Sequence, residues 1–248
     1  MDPDLRFAHE LADAADAITL ERFRALDLHV DTKPDLTPVS EADRAAEEAV
    51  RSLVAARRQG EAVIGEEGGA TERDAEARWI VDPIDGTRNY VRGAPVWATL
   101  LALERDGAVC VGVVSAPALG RRWWAVRGGG AWADGSRCAV SAVARLEDAV
   151  VSTTSARDMP EGWRDVSGRA WADRSFSDFW QYCLVAEGSV DVAADEILQL
   201  WDYAAIQLIV AEAGGRCSTF TGSDPAPGGS FVASNGLLHE EAVARLRS

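Results

Sequence analysis

The chain has 248 residues, 47% of them hydrophobic, enough apolar material to bury a large core as one compact domain or two closely packed lobes. Its 40 acidic residues outweigh 25 basic ones for a net charge of −15, which argues against nucleic acid or an anionic membrane as partner. A phosphate ligand has then to be met by metal instead of a basic patch.

Cys110, Cys138, Cys183 and Cys217 form no CxxC pair, and His9, His29 and His239 are scattered, so neither a zinc site nor a disulfide framework is expected. The first residues, Met1-Asp2-Pro3-Asp4, are acidic, and no apolar run approaches membrane-spanning length. A cytoplasmic protein is expected.

From Asp4 to about Leu26, the residues Phe7, Leu11, Ala14 and Ile18 fall on one face of an amphipathic helix. Turn formers fill Asp31 to Pro38. Ser40-Glu41-Ala42-Asp43 reads as a helix start with Ser40 as N-cap, and that helix should run to about Arg58, with Asp43 favoured in its first turn by the helix dipole. Ala62 to Gly65 is a short strand that ends in Glu66-Glu67, and Trp79-Ile80-Val81 is another that stops at Asp82-Pro83. Lying side by side, two such strands would aim their acids into one pocket.

Asp82 and Asp85, with Gly86-Thr87 behind them, have the local design of a hard-cation site beside an anion cradle: oxygen ligands for Mg²⁺ and free amides for a phosphate. Taken singly, each piece has a plainer explanation. Asp-Pro-x-Asp-Gly is also a helix-capping turn, and Glu66-Glu67 is also an exposed pair before a Gly-rich loop. The acidic loop from Ala70 to Ala77 is at most a mobile flap.

Val96 to Leu103 and Val109 to Ser115 flank an Asp-Gly turn at Asp106-Gly107 and read as a hairpin, continued by Arg122 to Val126 and Ala131 to Ala133. The first lobe, 1–138, is therefore helices followed by an antiparallel sheet. Over 139–248, strands near Val150, Asp173, Val190, Arg216 and Phe231 alternate with helices at Phe179 to Ala186, Tyr203 to Ala213 and from His239 onward, which predicts a mixed α/β lobe. Asp202 stands at the start of the Tyr203 helix, where N-capping accounts for it locally.

Glu66 to Glu67 after Gly65, WIVDPIDGTRN at Trp79 to Asn89 and WDYAAIQLIVAEAGG at Trp201 to Gly215 together resemble the signature set of the inositol monophosphatase superfamily, metal-dependent and lithium-sensitive phosphomonoesterases. The resemblance implies an α-β-α-β-α layered sandwich. It implies Glu66, Asp82, Asp85 and Asp202 as carboxylate ligands of two or three Mg²⁺ ions, Mn²⁺ being able to replace them, with the Ile84 carbonyl completing one ion. Gly86 and Thr87 would present amides to the phosphate, and the Thr87 hydroxyl, held by Asp43, would orient and deprotonate the attacking water. Lys33 falls near the same water and metals, Glu67 behind the ligands, and a homodimer is the usual assembly.

The segments DTKPDLTPVSEAD, RGAPVWA and SAPALGRRWWA look like the histidinol-phosphate phosphatase branch. Asp178 and Asp195 add two carboxylates to an already acidic pocket, which suits a cationic substrate such as L-histidinol phosphate. An inositol-1-phosphatase or broad sugar-phosphate phosphatase would keep the metals and change the pocket; a noncatalytic metal-binding scaffold would lack the need for Thr87. Asp178 is also an ordinary helix N-cap, and Ser177 stands where that branch commonly has glycine.

Overall fold

The computed structural model describes residues 2–34, 36–70 and 75–247, so the central part of the expected Ala70 to Ala77 flap lies outside the described residues. The chain begins with α1 (Pro3–Arg22), which Asp2 caps through its side chain. It stops short of Leu26 because Phe23 turns extended and packs its ring against Tyr90 and Trp97, at 5.5 and 5.3 Å between centroids. Where turn formers predicted only a loop, β1 (Val30–Thr32) and β2 (Pro38–Ser40) pair as a small antiparallel hairpin with Lys33 at its end. Ser40 then caps α2 (Glu41–Arg57), as its sequence predicts.

The large sheet is built from β3 (Ala62–Gly65), β4 (Gly69–Ala70), β5 (Ala77–Asp85), β6 (Ala98–Arg105), β7 (Ala108–Ala116), β8 (Arg121–Val126), β9 (Gly130–Ala133) and β10 (Ser136–Arg137). Between β5 and β6 lies a one-turn helix, α3 (Thr87–Val91). The strand order is β10-β9-β8-β7-β6-β5-β3-β4. Every neighbouring pair is antiparallel except β3 and β5, which run parallel with Gly65 opposite Val81. That exception matters, because parallel strands finish at the same edge, and both of these finish in acids.

The second sheet, order β12-β11-β13-β15-β14, comprises β11 (Val150–Ser152), β12 (Ala172–Arg174), β13 (Val192–Leu198), β14 (Arg216–Ser218) and β15 (Gly229–Ser234). Its helices are α4 (Glu161–Arg169), α5 (Asp178–Ala186), α6 (Leu200–Glu212) and α7 (His239–Leu246). The sequence pattern does not announce α4, which is short, rich in charge and buries only Gly162, Trp163 and Val166.

Three apolar layers hold these parts together. One lies between α1, α2 and the large sheet around Trp79 and Leu101; the middle one joins both sheets through α5 and α6, from Leu100 and Trp123 to Phe231; the outer one packs α4 and α7 on the second sheet around Trp163 and Leu246. The result is the α-β-α-β-α sandwich. The two sheets divide near residue 138, but the middle core runs across that division without interruption. No helix among the described residues is long and apolar enough to cross a membrane.

Candidate active site

Local sequence explains why the acids gather. β5 keeps an apolar run to Val81 and then bulges between Asp82 and Asp85, where Pro83 has no amide to give the ladder. Gly86 follows with φ 83°, and a Cβ there would meet the Val96 carbonyl oxygen at 2.9 Å, so the chain turns abruptly from strand into α3 only because this residue is glycine. Asp82 and Asp85 therefore leave the sheet edge together. Asp202 arrives from the first turn of α6, and one oxygen of each of these three aspartates lies within 4.8 Å of the others.

Each carboxylate is anchored by the backbone. Asp82 Oδ1 accepts the Ile84 amide at 3.0 Å, Asp85 Oδ2 accepts the Phe179 amide at the start of α5 at 2.7 Å, and Asp202 Oδ2 accepts the Gln199 amide at 2.6 Å. Asp43 behaves alike, taking the Ser40 amide on Oδ2 at 2.8 Å while its Oδ1 lies 3.2 Å from the Thr87 hydroxyl. That hydroxyl is also 2.9 Å from the Ile84 carbonyl oxygen.

Glu66 lines the same cavity as Asp82, Asp85 and Asp202, with its Oε1 turned to Lys33 Nζ at 2.7 Å. Lys33 also pairs with Glu67 at 2.5 Å. Burial works against the Lys33 ammonium, yet its hydrogen bonds to Glu66 and Glu67 raise its pKa and keep it charged. The lysine thus reaches the acidic corner by gripping its two glutamates.

Burial, followed by the repulsion of Glu66, Asp85 and Asp202, drives the Asp82 pKa well up; burial and then Asp178 and Asp202 do the same to Asp85. Burial raises Asp202 to about 7. A buried cluster of oxygen anions that repel one another is an unfavourable arrangement unless protons or cations balance it. The donor set, all carboxylate and carbonyl oxygen without sulfur or imidazole, fits a hard divalent cation such as Mg²⁺.

Two cavities adjoin this corner and share Asp85, Arg88, Asp178 and Asp202 as walls. The one over Gly86 and Thr87 has a volume of about 560 Å³, and the one between α5 and the end of β13 about 340 Å³. The smaller is lined by six acids, Asp85, Asp158, Asp178, Asp195, Glu196 and Asp202, against a single cation, Arg88, together with apolar Met159, Phe179, Ile197, Leu198 and Ile206.

Asp178 is not the N-cap of α5 but its first residue; Ser177 is the cap position, at φ 72° and ψ 146°, a backbone state that glycine favours. The Asp178 carboxylate accepts from Asn89 Nδ2 at 2.8 Å and from the Ser177 hydroxyl, and its amide donates to Thr154 Oγ1 at 2.9 Å. Asp195 lines the smaller cavity and is held from within the chain. Its two oxygens take five donors from the chain itself, the Thr154 amide and the side chains of Thr153, Thr154, Gln181 and Tyr182, at 2.6–3.2 Å. With roughly four lone-pair directions per carboxylate, these donors occupy most of what Asp195 offers and tie the cavity wall together through Thr154.

Asn89 and Thr154 were not singled out from the sequence. Asn89 was within reach, since it closes the WIVDPIDGTRN stretch; Thr154 merely follows the strand expected near Val150 and has no signal of its own.

The model of the inositol monophosphatase family matches residues 1–248. A histidinol-phosphatase of Mycobacterium tuberculosis is 52% identical to the chain over 255 residues, covering 99% of the chain and 98% of that protein. Among solved structures, the extragenic suppressor protein suhB of Bartonella henselae superposes with a TM-score of 0.92 at 30% identity, covering 100% of this chain and 99% of that one. An inositol monophosphatase/NADP phosphatase complexed with Mg²⁺ and phosphate shares the fold at a TM-score of 0.90 and 22% identity, covering 98% of this chain and 94% of that one.

Proposed function

This chain belongs to the inositol monophosphatase family and is a metal-dependent phosphoric monoester hydrolase, and from that premise we propose that its substrate is L-histidinol phosphate. The observation that carries the proposal is the smaller cavity, whose six acids face one arginine. A leaving group with an ammonium and a titratable imidazole is welcome beside this excess of carboxylates, whereas the neutral ring of inositol brings no charge to balance it. The 52% identity to a histidinol-phosphatase supports the same substrate.

In this reading Asp82, Asp85, Asp202 and Glu66, with the Ile84 carbonyl, hold two or three Mg²⁺ ions, Mn²⁺ being an acceptable replacement. The bound cations supply charge that activates water and neutralises the leaving oxygen. The first-turn amides of Gly86 and Thr87, which have no partner within a five-residue helix, receive the phosphate. Thr87 Oγ1, by donating to Asp43 Oδ1, keeps a lone pair for a proton of the attacking water, and Asp43 takes the proton that Thr87 passes on. Lys33 steadies Glu66 throughout. Asp178, fixed by Asn89 and Ser177, faces the cationic end of the substrate. Assembly as a homodimer belongs to the same proposal; a mass of one chain by light scattering would remove it.

The test compares kcat/KM for L-histidinol phosphate and inositol 1-phosphate. Asp178→Ala is expected to lower the first about 10- to 100-fold, the worth of one hydrogen bond to a charged group, and to leave the second within a few-fold. Equal losses on both substrates would reject the cationic-substrate reading.

A further inference from the structure

On α2, one turn beyond Asp43, stands a second buried acid that the site described above does not use. Glu47 is 2% exposed, on a helix face whose other buried residues are mostly apolar. A carboxylate so placed needs partners. It takes the Glu67 amide on Oε2 at 2.8 Å, the Gly68 amide on Oε1 at 2.8 Å, and the Arg51 guanidinium on Oε1 at 2.6–2.8 Å. Arg51 continues to the Gly69 carbonyl oxygen at 2.5 Å.

These contacts grip the backbone immediately after Glu66. On its other side, the Glu66 amide donates to the Val81 carbonyl oxygen at 3.3 Å. The Glu66 backbone is thus held on both sides, between β5 and Glu47, which fixes where its side chain leaves the chain. Glycines flank the pair for the same reason. A Cβ on Gly65 would overlap the Glu47 carboxyl group, and one on Gly68 would lie 2.8 Å from its Oε1.

We propose that Glu47 is a positioning residue for the metal site: it binds no cation itself, but by holding the Glu67 and Gly68 amides it points Glu66 into the acidic corner. The inference rests on the reading of Glu66 as a metal ligand. Helix α2 then serves the site twice, with Asp43 on the Thr87 hydroxyl and Glu47, four residues on, behind Glu66.

The test is the Mg²⁺ dissociation constant, measured by titration calorimetry on the full chain, for Glu47→Gln, Glu47→Ala and Arg51→Gln. Loss of such an outer partner weakens metal binding about 10- to 100-fold. Glu47→Ala should weaken it more than Glu47→Gln, which keeps one acceptor, while KM at saturating Mg²⁺ should move far less. Val166→Ala, in the outer core of the second sheet, supplies a control that lowers Tm without touching the corner and should leave the Mg²⁺ constant within about twofold. If Glu47→Ala does not fold, Glu47→Gln and Arg51→Gln decide. Variants of lowered Tm that bind Mg²⁺ like the parent overturn the proposal and leave Glu47 a purely structural acid. Asp82→Asn separates the two levels: if Asp82→Asn loses Mg²⁺ binding and the Glu47 variants do not, only the positioning role fails, whereas unchanged binding in Asp82→Asn overturns the metal site and the positioning role together.

Discussion

Asp43, Asp82, Asp85 and Asp202 each tie one carboxylate oxygen to a backbone amide and keep the other for the cavity or for Thr87. Capping is therefore compatible with the roles proposed for Asp43 and Asp202, since the backbone amide takes only one oxygen of each side chain. The amide also fixes the rotamer, so the free oxygen is aimed without further cost in side-chain entropy. Asp82 offers the sharpest check at this scale. Asp82→Asn relieves repulsion among buried acids, so the fold and Tm of the metal-free protein should be kept or improved. Mg²⁺ affinity should fall by more than the about 10- to 100-fold that an outer partner is worth, and turnover should fall with it. Near-normal affinity and turnover would remove Asp82 from the ligand set.

β5, its bulge and α3 form the element on which the site is mounted. The sequence marks this stretch as a strand that stops in an acidic turn, and its pairing with the motifs at Gly65 to Glu67 and Trp201 to Gly215 sets it apart from an ordinary capping turn. Gly86→Ala tests how tightly the turn is specified. Its left-handed φ alone costs about 1–2 kcal/mol for an L-residue, and the clash with the Val96 carbonyl adds to it, so a Tm loss of roughly 4–8 °C is expected for a chain of this size. Displacing Thr87 by even 1 Å should cost on the order of a hundredfold in kcat. An alanine variant with parental Tm and kcat would show that the turn has slack. The β1–β2 hairpin was harder to foresee: its strands are three residues each, and turn formers such as Pro34 and Pro38 hide them. Yet that hairpin delivers Lys33 to Glu66.

At the scale of the whole molecule, pH and metal are linked through the acidic corner. The folded pKa of Asp82, Asp85 and Asp202 lies above the unfolded carboxylate value, about 7 for Asp202, so their protonation favours the metal-free fold fully below about pH 4, and this contribution is lost as pH rises through about 7. Mg²⁺ needs the same oxygens deprotonated, so the rise in Tm on adding Mg²⁺ should be large near about pH 8 and shrink toward about pH 5.5. His239, buried between Ser218 and Ser234, has the opposite sign: its pKa is lowered to about 4, mainly by burial, so its neutral form supports the fold above about pH 6.5 and that support is lost as pH falls toward 4. Comparing scans with Mg²⁺ and with chelator at each pH cancels the His239 effect. A Mg²⁺-induced shift of equal size at both pH values would contradict the assignment of the corner as a cation site. The sequence by itself determined the alternation of strands and helices in the second lobe, the acids of the WIVDPIDGTRN stretch and the helix start at Ser40, because apolar period, caps and glycine turns are properties of a few consecutive residues; α6 starts three residues earlier than its pattern predicts, at Leu200 with Gln199 as cap, and the full sandwich followed from the family resemblance. Only the tertiary structure decided that β3 runs parallel to β5, that Asp195 is bonded by Thr154, Gln181 and Tyr182 while Asp178 meets Asn89, and that Glu47 reaches the backbone just after Glu66, because each depends on which distant segment a side chain meets, and no local pattern records that meeting.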